Sequence, residues 1–312
     1  MNAQFNQPGR AFSYYPGCTG ASTSREYDLS TRAVCEHLGL KLVDLPDWNC
    51  CGSTPAHTVD HALSAALCSR NFAQAEELGL ETMLTPCPSC LKNMHNCLER
   101  LKEPEFAARV RELARRPLAK NQAVKSVLQV FYEDITPAGI ARRVKKPLKG
   151  LRLVAYYGCL MNRPGRFMHF DDEENPVSMD RILEALGAET LPYPLKNECC
   201  GGAAGIADNK VVARLSGKLL QLADALGADA MVTACPLCQM NLDLRQRQAN
   251  RFYGTSITMP VFYFTQLMGL AFGLPRKKLG LGKLIVSPKS ALAKTGRGQP
   301  DIMAHNLDGG AL

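Results

Sequence analysis

Two stretches of this chain are copies of one another. The segment "AEELGLETMLTPCPSC" (75–90) aligns without a gap on "ADALGADAMVTACPLC" (223–238), with eight of the sixteen positions identical. Around it, "FSYYPGC" (12–18) answers "LVAYYGC" (153–159), and "QVFYEDITPAGIARRVKK" (129–146) answers "PVFYFTQLMGLAFGLPRKK" (260–278), in the same order. Such a duplication constrains the fold more than any composition does, because whatever one half forms the other must also form. The 312 residues are expected to divide into an N-terminal half with a basic linker (1–150), a second half (151–275) and a basic tail (276–312).

Within each half, short β-branched or aromatic runs alternate with longer stretches of helical spacing. In the second half, strands are expected at 152–157, 189–193 and 230–233. Helices are expected at 178–186, stopped by Gly187, and at 210–226, stopped by Gly227. The first half reads in parallel: strands at 12–15, 41–45 and 82–85, and helices around 30–38 and 59–78. Each half closes on an apolar strand-like piece, a helix and a basic run. Strands alternating with helices predict an α/β fold: two pseudo-symmetric Rossmann-like halves with mostly parallel sheets.

The thirteen cysteines then acquire an order. In each half every cysteine group follows a predicted strand. Parallel strands bring their carboxyl ends to one sheet edge, where open α/β folds bind ligands. Cys18, the pair Cys50/Cys51 and the pair Cys87/Cys90 should therefore converge, as should Cys159, Cys199/Cys200 and Cys235/Cys238. The spacings are C-x31-CC-x35-CxxC and C-x39-CC-x34-CxxC. Each CxxC straddles a helix start with proline in the first helical position (Pro88, Pro236), where the positive end of the helix favours thiolates. Glycines behind each adjacent pair (Gly52; Gly201 and Gly202) allow positive φ and close approach of something bulky. Structural zinc takes four thiolates, and so does a cubane [4Fe–4S] cluster. Five leave one over, unless it serves a distorted cluster or an open coordination position.

The paired C-x(31–39)-CC-G…CPxC sets resemble the cysteine-rich CCG domains of the B-type subunits of heterodisulfide reductases, over roughly residues 10–275. The resemblance implies a non-cubane [4Fe–4S] cluster in each set, with one cysteine of the adjacent pair bridging between irons. All ten cysteines named above would be ligands, and Cys50, Cys51, Cys199 and Cys200 would carry cluster-based catalysis. It further implies a disulfide held between the two clusters and split, or thiols or sulfane sulfur oxidised in reverse. Implied partners are a ferredoxin-like iron–sulfur subunit, a flavoprotein subunit and a lipoate-bearing carrier. Related chains serve in quinone-linked succinate, lactate and glycerol-3-phosphate dehydrogenases, so an electron relay that binds no substrate is the alternative. A thiol–disulfide oxidoreductase using CPSC and CPLC without iron, and zinc in one half, also stay open. The segment "LGLGKLIVSPKSAL" (279–292) lies beyond the shortest family members and reads as an added docking element.

Charge narrows the partners. The formal +8 comprises +6 in residues 138–152 and +5 in residues 275–312, leaving the body at −3, which is not a nucleic-acid-binding face. No ferredoxin-type C-x2-C-x2-C-x3-C-P run and no GxGxxG after a strand occur, so further clusters and a flavin or dinucleotide would belong to partners. The first residues show no secretory leader, which with the odd cysteine count predicts a cytoplasmic protein. The apolar stretch 259–274 includes Thr265 and Gln266, and its counterpart is an amphipathic helix; no transmembrane span is expected.

Other residues take ordinary roles by default. Cys35, Cys68 and Cys97 read as buried core thiols. His57 and His61 belong to a helix surface, and the tyrosine pairs 14–15 and 156–157 to packing. Trp48 is either a core residue or a shield for the first site. Lys196, Arg163 and Arg166 read as solvated loop cations.

Overall fold

A computed structural model describes residues 10–115 and 122–295. Its two halves each build one four-stranded sheet in which every pairing is parallel. The first sheet contains β1 (Ala11–Tyr14), β2 (Lys41–Asp44), β3 (Thr82–Thr85) and β4 (Ala123–Ser126), in the order β2-β1-β3-β4. The second contains β5 (Arg152–Tyr156), β6 (Glu189–Thr190), β7 (Ala230–Thr233) and β8 (Val261–Tyr263), in the order β6-β5-β7-β8. The two orders are one order repeated. β7 and β8 are buried at every residue, as helix-covered parallel strands must be, so their sequences run apolar without alternation.

The duplication extends to the caps. Asp60 accepts a hydrogen bond from the Ala62 amide at 2.7 Å and starts the helix His61–Glu77. Asp208 does the same for Lys210, at 2.7 Å, and starts Asn209–Ala225. The helix expected near 59–78 is His61–Glu77, and the extended backbone of Asp60 separates it from a turn at Pro55–Val59.

In two places the elements depart from the sequence pattern. The "VFY" triplet is strand β8 in the second half but lies in the π-helical segment Val130–Ile135 in the first. There Ser126 ends β4 and its Oγ accepts the Gln129 amide at 2.9 Å, so the chain turns helical before the triplet is reached. β6 is likewise shorter than its apolar alternation suggests. The Leu191 amide makes the last bond to β5, donating to the Leu153 carbonyl at 2.8 Å, and the run "PYP" (192–194) follows it.

The halves are joined by exchanged helices. Arg25–Leu38 of the first packs on Phe264–Ala271 of the second, and Ser178–Ala185 of the second packs on Pro137–Ala141 of the first. At the seam, Tyr27 stacks on Tyr263, Phe131 meets Phe264 edge-on at 5.9 Å, and Ser30 Oγ lies 2.7 Å from Thr265 Oγ1. Seven of the eight residues of Phe264–Ala271 are buried, which accounts for its near-continuous apolar sequence. No helix among the described residues is long and apolar enough to cross a membrane.

The basic linker is tied down by the Lys145 and Lys146 amides, which both donate to the Ala271 carbonyl at 2.8 Å. Of the tail, residues 276–295 fold back on this chain's own body; residues 296–312 lie outside the described residues. Leu279, Leu281, Leu284, Ala291 and Leu292 are buried, and the Ile285 and Val286 amides donate to the Asp243 carboxylate at 2.8 and 2.9 Å.

Candidate metal centres

Because all strands in a sheet point the same way, the segments after β1, β2 and β3 emerge at one edge, and so do those after β5, β6 and β7. The strand order reverses between the first and third strands of each half, which opens a crevice there. The cysteines occupy that crevice. Cys51 Sγ lies 3.2 Å from Cys90 Sγ, and Cys200 Sγ lies 3.6 Å from Cys238 Sγ. Cys50 and Cys51, Cys87 and Cys90, Cys159 and Cys199, and Cys235 and Cys238 lie close enough to shift one another's acidity. The charges of Cys87 and Cys51 act on Cys18, which completes the first quintet, as those of Cys200 and Cys235 act on Cys159 in the second. Both predicted sets are thus brought together.

Each quintet has a sealed side and an open side. Cys51, Cys87, Cys90, Cys200, Cys235 and Cys238 are buried, whereas Cys18, Cys50 and Cys199 are exposed and Cys159 is half-buried. Crowding splits the thiols' acidities. Hydrogen bonding with Cys50, then with Cys90, pulls Cys51 down to about 4 against its burial, while those contacts push Cys50 and Cys90 up. In the second half Cys159 draws Cys199 down to about 6, and Cys238 draws Cys200 down to about 7. Thiolate is the ligand form for metals, so each site holds at least one sulfur ready to bind.

The backbone around the thiols is shaped by glycine. Gly158 stands at φ 73°, and a Cβ there would lie 2.9 Å from Cys238 Sγ; its counterpart Gly17 stands at φ 69° and would meet Cys90 Sγ at 3.4 Å. Behind the pairs, the Gly52 amide points to Cys50 Sγ at 3.4 Å, and the Gly201 and Gly202 amides to Cys199 and Cys200 at 3.3 and 3.4 Å.

A matched set of supports holds each pair of adjacent cysteines. Tyr15 donates to the Asn49 carbonyl at 3.0 Å and Tyr156 to the Glu198 carbonyl at 2.6 Å, in each case the residue before the pair. Cys68 Sγ donates to the Cys51 carbonyl at 3.2 Å, and Ser216 Oγ to the Cys200 carbonyl at 2.9 Å. Asn93 Nδ2 donates to the Cys51 carbonyl at 2.6 Å; Asn241 Nδ2 donates to the Gly202 carbonyl at 2.9 Å and to Cys200 Sγ at 3.5 Å. Cys68 and Ser216 stand at the same distance before their CxxC motifs, and both asparagines follow theirs by three residues. Motif spacing alone does not expose this supporting role of Cys68, Asn93 and Asn241. The signal that finds it is their recurrence at equal offsets in the two copies.

The remaining candidates are absorbed locally. Cys35 is fully buried, its thiol pushed up to about 12 by that burial, and Cys97 is buried against the Ala65 carbonyl. His57 and His61 lie ring against ring, 4.5 Å apart, on an exposed face. Trp48 packs edge-on against Tyr15 at 5.5 Å, beside the first site. Lys196 departs from the solvated-cation expectation. It is buried, and its Nζ reaches the Pro176 carbonyl at 2.8 Å and Asp180 at 3.2 Å, because the loop before the second pair folds over the start of Ser178–Ala185. Arg163 is held by Glu174 at 2.6 Å, and Arg166 lies over the Phe167 ring.

Fold and sites together define a duplicated α/β protein with two thiol-rich centres. The sequence pattern of the cysteine-rich domain family, CCG, matches residues 12–95 and 153–243, one match per half, and the chain belongs to that family. An 8-methylmenaquinol:fumarate reductase membrane anchor subunit from Wolinella succinogenes is 32% identical over 284 residues, covering 89% of this chain and 97% of that one. The B-type subunit of a ferredoxin/F(420)H(2)-dependent CoB-CoM heterodisulfide reductase from Methanosarcina acetivorans is 28% identical over 290 residues, covering 90% and 96%. A crystal structure of a hypothetical protein from Helicobacter pylori superposes with a TM-score of 0.73 at 14% identity, over 90% of this chain and 53% of that one, a likeness of fold alone. These full-length relatives are subunits of reductases, and they support a redox, electron-transferring role with iron–sulfur chemistry as the common element.

Proposed function

We propose that the chain is a heterodisulfide-reductase-like subunit that holds one four-iron, non-cubane cluster in each quintet and uses the pair to reduce a disulfide or oxidise thiols or sulfane sulfur. The observation that carries this reading is the convergence of five thiols, twice, at equivalent sheet edges. A multi-iron cluster distributes its thiolates over separate irons and so suits a set gathered in close pairs. The donor set is all sulfur, the choice of iron–sulfur clusters.

The chain's own residues would act as follows. Cys51, Cys87 and Cys90, and Cys200, Cys235 and Cys238, would ligate from the buried side. Cys18, Cys50, Cys159 and Cys199 would close the solvent-facing side, where a sulfur substrate can approach. Tyr15, Tyr156, Asn93 and Asn241 would hold the carbonyls of each CC loop so that the thiolates keep their spacing. Bound clusters would supply one electron to each sulfur of a disulfide, leaving two thiolates, or in reverse would accept one electron from each of two thiolates as the disulfide forms. Electrons would pass to or from a ferredoxin-like iron–sulfur subunit and a flavoprotein subunit, with a lipoate-bearing carrier as the substrate donor.

A second reading is favoured by the Wolinella relative, named as the membrane anchor subunit of a fumarate reductase. On that reading the two sites only relay electrons. Anaerobic purification with iron, sulfide and zinc analysis tests the common part, with about eight irons per chain expected from two four-iron clusters. Thiol titration separates the two readings. A change in the visible or paramagnetic spectrum on thiol addition supports sulfur chemistry, and spectra indifferent to thiols support the relay. A colourless, zinc-bearing or metal-free protein refutes both.

A further inference from the structure

A pair of stacked rings, one from each half, lies at the seam between the two halves. Tyr27, in the first turn of Arg25–Leu38, stacks on Tyr263 with centroids 4.1 Å apart and planes 6° from parallel. Both are buried, at 1% and 0% exposure. Tyr263 ends β8 and pairs in register with Thr233, two residues before Cys235, so it stands at the edge that carries the second site. The Tyr27 phenol is held well above its ordinary value by burial first, then by the charges of Cys235 and Cys87, one from each site. Tyr27 therefore lies within electrostatic reach of both quintets. The Tyr263 phenol is held up by burial first and then by the charge of Glu26, with Ser24 beside it and the charge of Cys235 a lesser influence, and its hydroxyl completes no hydrogen bond among the described residues. At the equivalent strand end the first half has Ser126, whose Oγ is already engaged with the Gln129 amide.

We propose that the Tyr27–Tyr263 stack is the contact through which the two cysteine sites exchange electrons, and that the unpartnered Tyr263 hydroxyl tunes the second site by donating a hydrogen bond to sulfur there. The proposal rests on the reading of both quintets as cluster-bearing. One electron leaves the site that is reduced and arrives at the site that is oxidised; neither ring is oxidised on the way, no bond changes and no proton moves. Two buried π faces in van der Waals contact leave a shorter gap across the seam than aliphatic packing would. A hydrogen bond to cluster sulfur is one of the determinants of its potential, and a donor favours the more negative, reduced form.

The test uses the full chain with its clusters, the two signals being assigned by a Cys159→Ser variant. After flash photoreduction, redistribution of the electron between the two signals is followed in time, and each midpoint potential is measured by redox titration. Tyr27→Leu is expected to keep its iron and both potentials but to slow redistribution severalfold, and Tyr27→Phe, which keeps the ring, to restore the rate. Tyr263→Phe is expected to keep the rate and lower the potential of the second site alone. Unchanged redistribution in an iron-replete Tyr27→Leu protein overturns the exchange path, and equal shifts of both potentials in Tyr263→Phe overturn the tuning. Should Tyr27→Leu lose iron, Tyr263→Leu puts the same question from the other side of the stack. A wild-type chain with no iron refutes the cluster reading itself, a result distinct from either of these.

Discussion

Substituting the glycine before the first cysteine of each half should damage the two sites unequally. Gly158→Ala and Gly17→Ala impose a similar backbone penalty, since both positions are left-handed, at φ 73° and φ 69°. That penalty is ~1–2 kcal/mol for an L-residue. The difference lies in what the new Cβ meets. At Gly17 it would sit 3.4 Å from Cys90 Sγ, a tight contact that a small adjustment relieves; at Gly158 it would sit 2.9 Å from Cys238 Sγ, closer than real Cβ contacts allow. Cys238 is buried beside Cys200, 3.6 Å away, in the first turn of the helix that Pro236 starts, so the sulfur has to leave its place. Gly17→Ala is therefore expected to cost little beyond the backbone term, lowering Tm by roughly 2–4 °C per kcal/mol, and to keep its full iron. Gly158→Ala should show the same backbone loss and also empty the second site, falling from about eight irons to about four. Iron and sulfide analysis beside thermal unfolding of the metal-free proteins separates the two terms. Equal iron in the two variants would refute the steric argument.

Two further outcomes follow from the supports around the sites. The match between Cys68 and Ser216 predicts that Cys68→Ser keeps the bond to the Cys51 carbonyl and stays close to wild-type stability in urea. Cys68→Ala should cost ~0.5–1.5 kcal/mol, the loss of one hydrogen bond to a carbonyl that Asn93 still serves. Asp60 gives a pH signature: the Ala62 amide, then Arg109, hold its carboxyl below the ordinary value. A folded pKa depressed in this way adds stability above the unfolded carboxylate value and loses it as pH falls through the folded one. Asp60→Asn, which can still cap the helix but carries no charge, should therefore lose that increment at neutral pH and match the wild type at low pH, flattening the acid side of the profile, as urea midpoints across pH would show.

The duplication makes most of this architecture readable from the chain alone. Cysteines placed after alternate strands can converge only if those strands are parallel, and they are. What escapes the pattern is decided by single hydrogen bonds that periodicity does not encode. Ser126, for example, turns the first "VFY" helical. Lys196 resembles a surface cation in sequence because its partner Asp180 is sixteen residues upstream on another element. Cys68 passes for a core thiol because its counterpart is a serine, and only the structure shows that the two do the same work.

The copies differ most where they flank the adjacent cysteines. Two residues before the first pair, Trp48 covers the Tyr15 ring, and Asp47 before it is an exposed acid bridged to Arg70. At the matching positions of the second half stand Asn197 and Lys196, the latter a buried cation over the Tyr157 ring and against Asp180, whose carboxyl burial pushes up. One centre is thus walled by an aromatic ring and the other by a buried charge network. Tyr263 adds a hydroxyl to the second side only. On the proposed cluster reading, two thiol quintets in surroundings of different polarity and charge should not share a potential, because the local field and hydrogen bonding set it as much as the ligands do. An electron shared between them then has a preferred resting place, and a substrate with two sulfurs would be met by two unequal sites.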